Sequence, residues 1–113
     1  MDFFKSFIGG GANNIEPAEA NTKLKGKPAP LLIDVREPEE YREGHVAGAK
    51  LIPLGELGKR INELPKDREI LCICASGSRS SVATRQLISL GYTVLNVRGG
   101  MMGWYRAGLP IKK

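Results

Sequence analysis

Two continuous apolar runs do most to constrain this chain. Leu31-Leu32-Ile33-Asp34-Val35 and Glu69-Ile70-Leu71-Cys72-Ile73 lack the every-other-residue alternation of a half-exposed strand. Each therefore reads as a strand covered on both faces. Ala49 to Ile52 and Thr93 to Val97 supply two further strands. Between them lie segments with helical signals. Pro17 to Leu24 opens with proline and early acids, Pro38 to Arg42 stops at Gly44, and Ser80 to Leu90 carries an Ala83/Leu87/Leu90 stripe. Leu54 to Leu64 places Leu57, Ile61 and Leu64 on one face, although Gly55 and Gly58 weaken a helix there, and Met101 to Arg106 forms a last short helix. Strands alternating with helices predict an α/β domain with a parallel sheet and helices on both sides. Ligands of such sheets bind beyond the carboxyl ends of the strands.

At 113 residues the chain fits one compact domain. Its formal net charge of +5 raises the question of nucleic acid. The basic residues are scattered, however, as Lys23, Lys25 and Lys27, then Arg98, Arg106, Lys112 and Lys113, with acids between and no aromatic-interleaved stripe. The reading is no nucleic-acid partner and a mild attraction for small anions. The two cysteines, Cys72 and Cys74, are separated by one residue on a strand, too awkward a spacing for a disulfide. This favours a reducing, cytoplasmic setting over a stapled secreted fold. His45 is the lone histidine, so the expectation is no metal site and no cofactor.

Chemistry concentrates in Cys74-Ala75-Ser76-Gly77-Ser78-Arg79. A thiol at the end of a buried strand is followed by a Gly/Ser loop and a helix start. The loop amides can curl into an anion-binding concavity, and the helix N-terminus adds its positive end. Arg79 brings a full charge nearby. Each favours the thiolate, which is the nucleophile. No histidine stands ready as a base, so activation is expected from amide dipoles and Arg79. Cys72, inside the apolar run, reads as a small core residue. This reading of Cys74 requires the amide N–H groups to face its side chain, and that side chain to reach solvent.

Four segments then match a family in order and spacing. They are Leu32 to Glu37 with Glu40-Tyr41; Gly44-His45-Val46-Ala47-Gly48-Ala49; Cys74 to Ser80; and Val97-Arg98-Gly99-Gly100 with Trp104 and Ala107 to Pro110. From Ile15 to Ile111 the chain resembles the single-domain rhodanese-like sulfurtransferases. The resemblance implies a three-layer fold with a parallel sheet of about five strands flanked by helices. It also implies an enzyme that takes a sulfane sulfur from a small donor, thiosulfate or a persulfide, onto Cys74. The sulfur then passes to cyanide or a thiol, with a protein acceptor also open. Cys74 and Arg79 are the implied catalytic residues, and Ala75, Ser76, Gly77, Ser78 and Ser80 the implied substrate-binding ones. A carrier module delivering persulfide sulfur to a partner protein is the alternative.

Loop length bears on a third reading, a cysteine-dependent phosphatase or arsenate reductase. Phosphatases of related fold carry one residue more between cysteine and arginine than the Ala75-to-Ser78 stretch here. The tighter ring suits one sulfur atom, and the loop supplies no acid for a leaving oxygen. Asp34 with Arg36 reads as an ion pair or turn cap, His45 as a backbone hydrogen-bonder and Trp104 as packing. Arg98 and Met101-Met102 are candidates for a pocket rim. Residues 1–11, with Phe3, Phe4, Phe7 and Ile8 before a triple glycine, read as a flexible or docking extension to a domain at 12–113. They lack a secretory leader, and no run has transmembrane length.

Overall fold

The structure, a computed structural model, describes residues 13–113, and the expectations for residues 1–11 lie outside them. Five strands form one sheet: β1 (Asn14–Ile15), β2 (Leu31–Asp34), β3 (Lys50–Leu51), β4 (Ile70–Ile73) and β5 (Val94–Val97). Their order is β1-β5-β4-β2-β3 and every pairing is parallel. Among the described residues four α-helices accompany them: α1 (Pro17–Leu24), α2 (Pro38–Arg42), α3 (Ser78–Ser89) and α4 (Gly100–Arg106).

The apolar runs are buried because the sheet is sandwiched. On one side Ile33, Ile70, Cys72, Cys74 and Val94 meet Ala83 and Leu87 of α3, together with Leu57 and Leu64. On the other, Leu32, Leu71, Ile73 and Val97 meet Ala20 of α1 and Met101 and Trp104 of α4. Side chains alternate across the strand, so Cys72 and Cys74 share one face of β4 while Leu71 and Ile73 take the other. β4 sits centrally, and all four of its residues are buried. Cys74, the next residue, is carried past the strand's carboxyl end.

Leu90, expected in the α3 stripe, caps that helix and is exposed, and two segments also depart from the sequence expectation. Leu54 to Leu64 is not an α-helix but two 3₁₀ turns, Leu54–Glu56 and Gly58–Glu63, with non-helical backbone at Arg60. The glycines remove helix propensity, yet Leu57 and Leu64 still fill the core. The edge strand β1 was not expected. It is two residues long, too short to show a period, and exists by pairing Asn14 and Ile15 with Asn96 and Val97.

At the carboxyl end of β2, Asp34 and Arg36 form a buried ion pair, Nη2 to Oδ2 at 2.8 Å. The same guanidinium donates to the carbonyls of Gly44 at 2.8 Å and Glu40 at 3.2 Å. Burying a pair like this stabilises only when the remaining donors are met, and here they tie the end of β2 to the middle of α2 and to the turn that follows it. His45 Nδ1 lies 2.8 Å from the Tyr41 carbonyl and its ring stacks on Tyr41. Trp104 is fully buried and donates from Nε1 to the Pro110 carbonyl.

Candidate active site

β4 delivers Cys74 to the start of α3, and the connection is tight. Gly77 adopts φ 106° at the helix N-cap, a left-handed backbone that a side chain would strain. This conformation turns the Gly77 N–H onto Cys74 Sγ, 3.1 Å away. The Ser80 hydroxyl lies 3.3 Å from the same sulfur. Burial pushes the Cys74 thiol up, but the Ser80 hydroxyl and the amides of Ser80, Gly77 and Ser76 act the other way. They outweigh it, and the thiol ionises below the ordinary cysteine value.

The loop is braced from behind by the first turn of α4. Met101 N–H donates to the Cys74 carbonyl at 2.8 Å and Met102 N–H to the Ala75 carbonyl at 3.0 Å. Gly99 has φ 75° and Gly100 φ 58°. A Cβ on Gly100 would overlap the Cys74 carbonyl and stand 2.7 Å from the Ala75 carbonyl carbon and oxygen. One on Gly77 would come within 3.3 Å of the Gly99 nitrogen. The two glycine turns, far apart in sequence, fit back to back. Sequence reasoning saw Gly99-Gly100 only as a turn, because nothing local reveals which backbone it must approach.

Arg79 interacts electrostatically with Cys74 but is not a free charge. Its guanidinium forms a two-pronged pair with Glu40 of α2, Nη1 to Oε1 at 2.8 Å and Nη2 to Oε2 at 2.9 Å. The hydrogen bonds from Arg79 hold the Glu40 carboxyl at about 2. Glu40 also accepts the Glu37 N–H, so its position is fixed from its own helix. The charge of Arg79 is thus largely met by a carboxylate, and the groups closest to the Cys74 sulfur are main-chain amides and the Ser80 hydroxyl. Glu40 was visible in the sequence as part of a matched segment, without a role.

Ser76 and Ser78 are exposed, their hydroxyls 3.5 Å apart at the mouth of the loop. Ala75 and Gly77 are half-buried. Arg98 and Met101 do not rim the site: Arg98 pairs with Glu16 at 2.8 Å, beside a separate cavity of about 360 Å³, and Met101 is core. Met102 is exposed.

One expectation fails. Cys74 is 0% exposed, its sulfur in contact with Gly77 and Ser80. The same curl of backbone that aims the amides also covers the atom. The sulfur is held as an anion site requires, but it is closed over.

The fold around this loop has close solved counterparts. A rhodanese-related protein from Thermoplasma volcanium superposes with a TM-score of 0.83 at 34% identity, covering 88% of this chain and 97% of its own. The architecture is that of a rhodanese-like α/β domain. Residues 16–107 match the family model described as Rhodanese-like domain, and the chain belongs to that family. A protein named sulfurtransferase in Allochromatium vinosum is 39% identical over 88% of this chain and 94% of its own length. A Bacillus subtilis relative, provisionally named sulfur carrier protein YrkF, is 49% identical over 65% of this chain and 40% of its own. These relatives support sulfur transfer in general. Among the described residues, no helix is long and apolar enough to cross a membrane.

Proposed function

We propose that this protein transfers a sulfane sulfur through a persulfide on Cys74. The observation that carries the reading is the Cys74 sulfur itself, buried yet ionising below the ordinary value, with the Gly77 N–H donating to it and the Ser80 hydroxyl oxygen 3.3 Å away. With thiosulfate, the Cys74 thiolate attacks the outer sulfur. A bond forms between the two sulfurs, the donor's S–S bond breaks, and sulfite leaves with the electron pair. The enzyme then carries an anionic persulfide, whose charge the loop amides are arranged to stabilise as they would an oxyanion. A nucleophilic acceptor, cyanide or a thiolate, attacks that outer sulfur and takes it as thiocyanate or as a new persulfide. The Cys74 thiolate is released to begin again. Ala75, Ser76, Gly77, Ser78 and Ser80 form the cradle for the transferred sulfur.

In this reading Arg79 steers an anionic donor only weakly, because Glu40 meets its charge. This lessens the advantage of doubly charged thiosulfate over a thiol persulfide. A second reading, a sulfur carrier for a partner protein, is favoured by the closed sulfur and by the name of the Bacillus relative. Mass spectrometry after exposure to thiosulfate, mercaptopyruvate and a glutathione persulfide tests the shared step. A gain of one sulfur, absent in Cys74→Ala, is expected; no gain with any donor sinks the proposal. Turnover to cyanide against transfer to a thiol protein then separates enzyme from carrier.

A further inference from the structure

Behind Cys74 a line of buried polar groups runs to the sheet edge. The Ser80 hydroxyl oxygen lies 3.3 Å from Cys74 Sγ and 2.5 Å from Asn96 Oδ1. Asn96, on β5, donates from Nδ2 to Asn14 Oδ1 at 3.0 Å. Ser80 is 0% exposed and Asn96 6%. Asn96 is a core-facing polar residue in an otherwise apolar strand, and the cradle itself does not explain it.

Counting protons makes it informative. A hydroxyl has one proton to give, and an amide carbonyl oxygen only accepts. The contact between Ser80 and Asn96 Oδ1 therefore uses the Ser80 proton. While it does, Ser80 offers Cys74 only lone pairs. A neutral thiol can donate its S–H to those, but a thiolate gains nothing from them. For Ser80 to stabilise the thiolate its proton must swing to sulfur, which leaves Asn96 Oδ1 buried without that donor. Such a loss carries a real penalty. The two acceptors compete for one proton.

We propose that Asn96 is a positioning residue that withholds the Ser80 proton from Cys74, restraining ionisation of the thiol and favouring the sulfur-loaded state. The second half rests on the sulfur-transfer reading above. In a persulfide the inner sulfur is neutral, so it does not need the Ser80 proton, which stays on Asn96. On unloading, the inner sulfur must depart as a thiolate and the competition returns. Asn96 thus makes Cys74 a poorer leaving group and slows release of sulfur to an acceptor. The other ionisable groups around the sulfur are Arg79, with its partner Glu40, and the Cys72 thiol on the same strand face. All three are the same in every variant compared below.

The test is the pH dependence of Cys74 alkylation by iodoacetamide, read by mass spectrometry in four proteins: the parent, Asn96→Leu, Ser80→Ala and the double variant. Asn96→Leu is expected to lower the midpoint by about one pH unit, the scale of one hydrogen bond to a charged group. In the Ser80→Ala background the same substitution is expected to change nothing, which a merely structural role for Asn96 would not produce. A midpoint unchanged or raised by Asn96→Leu, or lowered equally without Ser80, overturns the proposal. If Asn96→Leu does not fold by circular dichroism, Asn96→Ala takes its place in the same cycle. Alkylation needs no sulfur donor. Failure of every donor to load Cys74 would thus remove the sulfur-transfer reading while leaving this result interpretable.

Discussion

Cys72 and Cys74 stand two residues apart on the same face of the same strand line, and both are 0% exposed. Their chemistry is opposite. Burial pushes the Cys72 thiol up to about 12, whereas Cys74 ionises below the ordinary value. The difference does not come from exposure, nor chiefly from a formal charge, since Arg79 is paired with Glu40. It comes from where the backbone donors go. Cys72 lies within β4, paired in register with Ile33 and Asn96, where main-chain amides are consumed by the ladder. At Cys74 the strand has ended, and the amides of the following loop are free to turn inward. A thiol is eased towards ionisation here by being one step beyond the sheet.

Removing each sulfur in turn tests this contrast most strongly. Cys74→Ala is expected to abolish sulfur loading, while Cys72→Ala retains turnover within about threefold and loses about 1 kcal/mol of stability to a small cavity. Equal losses in the two variants would break the distinction. Next in size is Gly100→Ala, which forces a Cβ against the Cys74 carbonyl from a left-handed backbone. A stability loss of about 2–3 kcal/mol and a ten- to hundredfold drop in transfer rate are expected, by thermal melting and steady-state assay. The Cys74 alkylation midpoint should also rise towards that of Cys72.

The two thiols should also tilt the alkaline stability curve in opposite senses. Cys72 is raised from 9.0 to about 12. Its contribution is present below pH 9 and lost as pH climbs from 9 to 12, because the unfolded thiol ionises first. Cys74 is lowered, so its contribution grows as pH rises through its folded value towards 9. Urea denaturation between pH 8 and 11 should therefore show a shallower alkaline decline in Cys72→Ala, by up to a few kcal/mol, and a steeper one in Cys74→Ala. The smallest effect belongs to Glu40→Gln, which frees the Arg79 charge. A several-fold rise in kcat/KM for thiosulfate is expected, with a glutathione persulfide little affected. The pair itself, half-exposed, contributes about 1 kcal/mol or less. That contribution is present above pH 4.5 and lost as pH falls through about 2, so the pair persists across the whole assay range.

Much of this was legible in the chain. The apolar runs at Leu31 and Ile70 marked the central strands because burial on both faces removes the alternation of polar positions. Asp34 with Arg36, His45 with backbone and Trp104 as packing follow from residue type and position, and the structure contains all three. What could not be read was pairing across the chain. Glu40 meets Arg79 across 39 positions and Gly100 meets Cys74 across 26. A local pattern carries no information on such partners. The sequence also suggested that an activated thiol would be an open one. The structure separates the two properties, because the turn that points amides at an atom necessarily surrounds it.

That enclosure has a kinetic consequence. A fully buried Cys74 sulfur meets a reagent only when its cover opens, so observed labelling is the product of an opening equilibrium and an intrinsic rate. As electrophile concentration is raised, the rate should climb and then level off at the opening rate itself. Small probes and bulky ones should reach different plateaus when they demand different degrees of opening. The height of such a plateau measures how fast the domain can admit a sulfur donor at all.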